Sequence, residues 1–145
     1  MSYAQSARRV ALDVIMAVRE SDAYANLLLP VHIDRAKLSS ADAGLATELT
    51  YGTLRMQGYY DAVIAQAAGR AVSRIDPPVL DVLRLATHQL LSMRVPSHAA
   101  VDESVRLAKT IGSRSAVGFV NAVLRAITKH DAETWRERVI GAAGS

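Results

Sequence analysis

The chain has 145 residues, half of them apolar, 21% charged and 5% aromatic, with no cysteine, the composition of one globular domain rather than a disordered segment. The missing cysteine excludes a disulfide framework, a cysteine-ligated metal or iron–sulfur site and a cysteine nucleophile, and makes a cytoplasmic location the expectation. The net charge is +3, a basic bias that permits a polyanionic partner without requiring one. The longest run without a charged residue, residues 23–33, has eleven positions, where a membrane span needs about 20, and the N-terminal residues lack the pattern of a signal peptide.

Ala7, Val10, Ala11, Val14, Ile15 and Val18 recur at helical spacing, which predicts a first amphipathic helix over residues 4–21. Leu27, Leu28 and Leu29 lead into Pro30, so a short helix is expected to break or begin there. Ser39 and Asp42 stand three apart, as in a capping box, and Leu45, Leu49, Gly52 and Met56 continue a helix over residues 40–55. Tyr59, Tyr60, Val63, Ile64 and Ala67 make another, ending near Gly69. Asp76-Pro77-Pro78 is a helix start, with Asp76 the expected cap. The following residues are apolar around most of the circumference and predict a central buried helix, whose one polar stripe is Asp81, Arg84 and His88.

Pro96-Ser97-His98 opens the next helix, with Asp102 and Glu103 read as partners of its positive end and Gly112 as its stop. Ser113 or Ser115 caps a last long helix whose apolar face holds Phe119, Val120, Val123, Leu124 and Ile127. After Asp131 a short segment carrying Trp135 is expected to fade into a small-residue stretch. The expected organisation is one domain over residues 1–140, with 141–145 the start of a linker. No alternating strand pattern appears, so the fold class is all-α.

No phosphate-binding glycine loop and no metal-binding His-Glu-x-x-His stretch is present, and His32, His88, His98 and His130 read as surface or capping residues. No catalytic residue, cofactor site or metal site is assigned. Polyanion binding has more support. Residues 84–129 carry seven basic side chains against Asp102 and Glu103. Arg8 and Arg9 lie in the first turn of a helix, where the dipole favours acids. Arg114, Arg125 and Lys129 surround Phe119, which could add a stacking ring to phosphate contacts, although the apolar period places that ring in the core.

Several stretches together resemble one family. They are Arg8-Arg9 with Ala11-Leu12; Glu48-Leu49-Thr50-Tyr51-Gly52-Thr53-Leu54-Arg55; Val82-Leu83-Arg84-Leu85-Ala86-Thr87-His88-Gln89-Leu90-Leu91; His98-Ala99-Ala100-Val101 with Glu103; and Gly118-Phe119-Val120-Asn121-Ala122-Val123-Leu124-Arg125. In this order, from about Ala7 to Ile127, they resemble the NusB-like domain, a compact bundle of about seven helices. That domain occurs as a free-standing transcription antitermination factor and as the N-terminal domain of the ribosomal RNA small subunit methyltransferase B family, which makes 5-methylcytosine; the second and last stretches look like the methyltransferase branch.

The resemblance implies an RNA-binding accessory domain that helps a C-terminal methyltransferase domain of the same polypeptide engage ribosomal RNA. The cofactor, S-adenosylmethionine, and the catalytic cysteine would belong to that attached domain, and no membrane is involved. The alternative is an antitermination factor that binds leader RNA and a small ribosomal protein. Carried over by position, the RNA-contacting residues are Arg8, Arg9 and Phe119, with Arg114 and Arg125 added on charge. Asn121 is expected as a buried amide tying the last helix to a neighbouring helix end.

Overall fold

The computed structural model of the chain describes residues 3–144, with side chains over residues 7–141; Met1, Ser2 and Ser145 lie outside the described residues. Eight α-helices and a short 3-10 turn are present and no strand occurs among the described residues. Among the described residues no helix is long and apolar enough to cross a membrane. The chain divides into two units, residues 1–55 and 56–145.

The first unit holds α1 (Tyr3–Ser21), α2 (Ala25–Ala36) and α3 (Ser40–Arg55). Ala7, Val10 and Val14 line one face of α1 and pack with Leu29 and Ala46 in a buried cluster, as their spacing of three and four requires. The break expected at Pro30 does not occur, because α2 runs through it. Pro30 is the sixth residue of the helix, so its missing N–H costs one bond, to the carbonyl of Asn26. Leu29 beside it is buried in the cluster, and that packing holds the turn together. Ser39 does start α3, its Oγ accepting the Asp42 N–H at 3.2 Å.

The second unit begins with α4 (Gln57–Ala68), which ends at Gly69 in the left-handed conformation, φ 68, the backbone that glycine adopts at least cost. The 3-10 turn Val72–Arg74 leads to α5 (Pro77–Leu91), followed by α6 (Ser97–Ala108), α7 (Arg114–Ile127) and α8 (Ala132–Gly144). Helix α5 is central to this unit, packed against α4, α6 and α7, with every residue from Val79 to Gln89 buried. Leu83 is fully buried. Leu83→Ala is expected to lower stability by about 2–5 kcal/mol, the range for an emptied leucine site, read from a urea titration; a loss below about 0.5 kcal/mol would contradict its central position.

The polar stripe of α5 is part of this interior rather than a solvated edge. The Arg84 guanidinium donates to both carboxylate oxygens of Asp61 at 2.7 and 2.8 Å and to Asp81 at 3.3 Å. His88 is 1% exposed, not the surface or capping residue expected, and its Nδ1 lies 2.7 Å from the Tyr60 hydroxyl, which also meets Ser92 Oγ at 2.6 Å. Asp76 occupies the N-cap position of α5 but makes no capping bond; the two prolines alone pre-set that helix start. No acid lies in the first turn of α6, so Asp102 and Glu103 stand one turn too far along for the dipole role assigned to them.

The segment after Asp131 is a helix of thirteen residues, so residues 141–144, expected to open a linker, are helical. Asp131 caps it, its Oδ1 accepting the Thr134 N–H at 2.8 Å. That bond holds the Asp131 carboxyl below the ordinary carboxylate range. Trp135 is buried, with its indole N–H on the Ile127 carbonyl at 2.8 Å.

Candidate nucleic-acid interface

Three of the five candidate residues belong to α7, whose start is defined by local chemistry. A Cβ on Gly112 would stand 2.8 Å from the Cβ of Ala116, so only glycine lets the chain turn this tightly into the helix. Ser113 is the cap: its Oγ accepts the Ala116 N–H at 3.3 Å and meets Ser115 Oγ at 2.8 Å. The first turn then carries Arg114 and no acid. A cation at the positive end of a helix opposes the dipole, so helix stability does not account for Arg114.

Val120, Val123, Leu124 and Ile127 form the buried face of α7. Phe119, expected among them, is only half-buried, and Arg70 lies over its ring with Cζ 4.8 Å from the centroid. The pair lines a hollow of about 500 Å³ together with Arg74, Ser113 and Ser115, with Asp76 also in its wall. A smaller hollow of about 230 Å³ shares Gly112 and Ser113 and adds Lys109 and Arg114. Around the N-terminus of α7 the fold thus gathers Arg70, Arg74, Lys109 and Arg114 beside one aromatic ring.

Arg125 follows Arg114 by eleven residues, which places it on nearly the same side of the helix about 16 Å further along. It is exposed, lines a separate hollow of about 210 Å³ with Ser97 and Thr128, and donates from Nε to Asn121 Oδ1 at 3.2 Å. Asn121 is therefore half-buried and engaged within its own helix, instead of being a buried tie to another.

The first-helix pair belongs to the other unit. Arg8 is 7% exposed and already interacts with other protein groups. Arg9 keeps exposed surface and pairs with Asp13 at 3.1 Å, one helical turn on. Arg70 and Arg74 are not among the residues that the sequence singles out. Their signal is the presence of two arginines in the short stretch between Gly69 and Asp76, but their meeting with Phe119, 49 positions from Arg70, is a tertiary event.

Chemically, this surface offers guanidinium groups for phosphate oxygens and planar groups on which a base can stack. Arg70 on Phe119, with Cζ 4.8 Å from the ring centroid, is a cation–π contact at an exposed site, worth about 0.5–1 kcal/mol. No group of three or more metal-ligating side chains occurs among the described residues.

The chain is thus an all-helical domain with a cationic, ring-bearing hollow at the start of α7. The chain belongs to the NusB family, which it matches over residues 5–129. It is 49% identical over 129 residues to a Mycobacterium tuberculosis protein with a provisional methyltransferase name, covering 89% of this chain and 28% of that protein. It is 35% identical over 118 residues to the ribosomal RNA small subunit methyltransferase B of Pseudomonas putida, covering 81% of this chain and 27% of that enzyme. The chain thus spans little more than a quarter of these relatives. Among solved structures, NusB of T. maritima superposes with a TM-score of 0.80 at 22% identity, over 92% of this chain and 96% of that one.

Proposed function

We propose that this chain is an RNA-binding accessory domain that helps an attached methyltransferase domain engage ribosomal RNA. The observation that carries the reading is the Arg70–Phe119 stack at 4.8 Å beside Arg74 and the capped start of α7, a stacking platform within reach of phosphate-binding cations. The accessory role is supported by the relatives named as ribosomal RNA methyltransferases, of whose length the chain covers about a quarter. A solved structure similar at a TM-score of 0.80 contains the antitermination factors NusB and NusE with double-stranded RNA. S-adenosylmethionine and the methyl-transfer chemistry belong, in this reading, to the attached domain, and no residue here is assigned to them. Arg70, Arg74, Arg114 and Phe119 form the principal RNA surface, Arg125 extends it, and Arg9 is the first-helix arginine with surface to offer.

Phe119→Ala is expected to weaken binding of a single-stranded oligoribonucleotide by about 5- to 150-fold, the equivalent of about 1–3 kcal/mol for one lost base stack, measured by fluorescence anisotropy. Unchanged affinity would remove Phe119 from the site. In a polypeptide that joins this domain to its catalytic domain, Arg70→Gln with Arg74→Gln should raise KM for ribosomal RNA and leave kcat unchanged; a fall in kcat alone would contradict a role in substrate engagement.

A second reading is a free-standing antitermination factor, favoured by the Coxiella burnetii NusB protein, 28% identical with 87% of its length covered. Capture of a small ribosomal protein by the 145-residue chain would favour it. The higher identity to methyltransferases favours the first.

A further inference from the structure

A further hollow of the second unit lies at the opposite end of α7 from Phe119. It measures about 770 Å³ and is lined by Arg94, Ser97, Lys129, His130, Asp131 and Arg136, drawn from the turn after α5, the start of α6, the turn after α7 and the first turns of α8. It shares Ser97 and Thr128 with the hollow of Arg125, so four cations border one continuous trough against Asp131 and Asp102. Arg94, Lys129 and Arg136 are exposed, and none of the three forms an ion pair with a carboxylate among the described residues. Of the two carboxylates that border the trough, Asp131 is already occupied as the cap of α8, and Asp102 lies at the Arg125 end.

Two details set this trough apart from an ordinary solvated surface. Arg94 sits at φ 57, in the left-handed region where glycine is cheapest, in a turn closed by the Val95 N–H on the Gln89 carbonyl at 3.3 Å. The backbone there accepts strain and still carries a guanidinium. Pro96, the N-cap of α6, supplies no side-chain acceptor, so the first amides of that helix remain available beside Ser97.

We infer that this trough is a second phosphate-binding site, which takes the sugar–phosphate backbone of the same RNA strand beyond the part held at Phe119. The inference rests on the RNA-binding reading above. Among the described residues the ring that lines this hollow is the His130 imidazole, already packed edge-on against buried Trp135 at 5.4 Å and 3.3 Å from the Arg138 guanidinium, so the trough offers cations and binds backbone without reading bases. Arg114 and Arg125 fall on one side of α7 and connect the two ends; the helix, fourteen residues long, spaces them by about 20 Å, so only a strand of several nucleotides reaches both.

The test uses the 145-residue chain with a mixed-sequence 12-nucleotide RNA and a 4-nucleotide RNA, each titrated at several salt concentrations. The combined variant Arg94→Asn, Lys129→Gln and Arg136→Gln keeps a residue that tolerates positive φ at position 94. It should lower the slope of log K against log salt by about two for the 12-mer, at roughly 0.7 per single-strand phosphate contact, and leave the 4-mer unchanged. Lys129→Gln alone should lower the 12-mer slope by about 0.7, which keeps the inference testable if the combined variant does not fold. An unchanged 12-mer slope in these variants, with Phe119→Ala still weakening both RNAs, overturns the trough and leaves the RNA reading standing. If the parent chain binds neither RNA, both fall. A polyglutamate of equal charge that binds the trough as tightly as the 12-mer overturns RNA as its occupant.

Discussion

Arg84→Met is expected to destabilise the unit formed by residues 56–145 by about 3–5 kcal/mol, the cost of removing one partner from a buried ion pair, seen as a lower urea midpoint with an unchanged slope. The reason lies in what the guanidinium leaves behind. It forms a two-pronged bond with Asp61 at 2.7 and 2.8 Å and a third contact with Asp81 at 3.3 Å, and Asp81 is fully buried. Burial acts to lower the Arg84 pKa, but the hydrogen bonds and charges of Asp61 and Asp81 outweigh it and raise the pKa above that of ordinary arginine. The group therefore stays charged throughout the accessible pH range, and its contribution is lost only as pH rises beyond the arginine range. Arg84→Lys should recover part of the loss, because it restores the charge without the planar fork. A change below about 1 kcal/mol for Arg84→Met would mean that water, not Arg84, satisfies the carboxylates.

Trp135→Ala should cost about 3–5 kcal/mol, as for other large buried aromatics. Trp135 is 2% exposed; its indole N–H holds the Ile127 carbonyl, and its ring packs edge-on against His130 at 5.4 Å, with Arg138 over it at 5.2 Å. Removal leaves a cavity and takes a partner from the last turn of α7. Trp135→Phe should retain most of the packing and lose the hydrogen bond, costing about 0.5–1.5 kcal/mol. Thermal melts followed by circular dichroism check both, and an α8 that melts separately from the rest in Trp135→Ala would show that this one side chain docks it.

Much of the helical order is legible in the residue pattern. The spacing of Ala7, Val10 and Val14 marks the buried face of α1, and Ser39 marks the start of α3, because periodicity and capping are local properties. Two local signals mislead for one reason. Pro30 reads as a break and residues 141–144 as a linker, yet both lie in helices: intrinsic propensity is worth about 1–3 kcal/mol per residue, within what a buried Leu29 or Trp135 can supply.

The candidate site is half legible. Arg114, Phe119 and Arg125 stand out by charge and by motif, but Arg70 and Arg74 acquire a role only through the turn at Gly69, which carries them to the ring of Phe119. Arg8 shows the converse: it reads, with Arg9, as a cation in the first turn of a helix, but α1 begins at Tyr3, so both stand in the second turn and Arg8 is buried. Sequence by itself determined the all-α class, the family, the central position of α5 and the basic character of the chain, since each depends on residue type at a fixed spacing. Tertiary structure alone decided which polar side chains face inward and which cations share a hollow. Asp81, Arg84 and His88 form one stripe in sequence, and only the packing of α4 against them turns it into a buried network, because a polar group's partner is set by contacts across the chain and not by its neighbours along it.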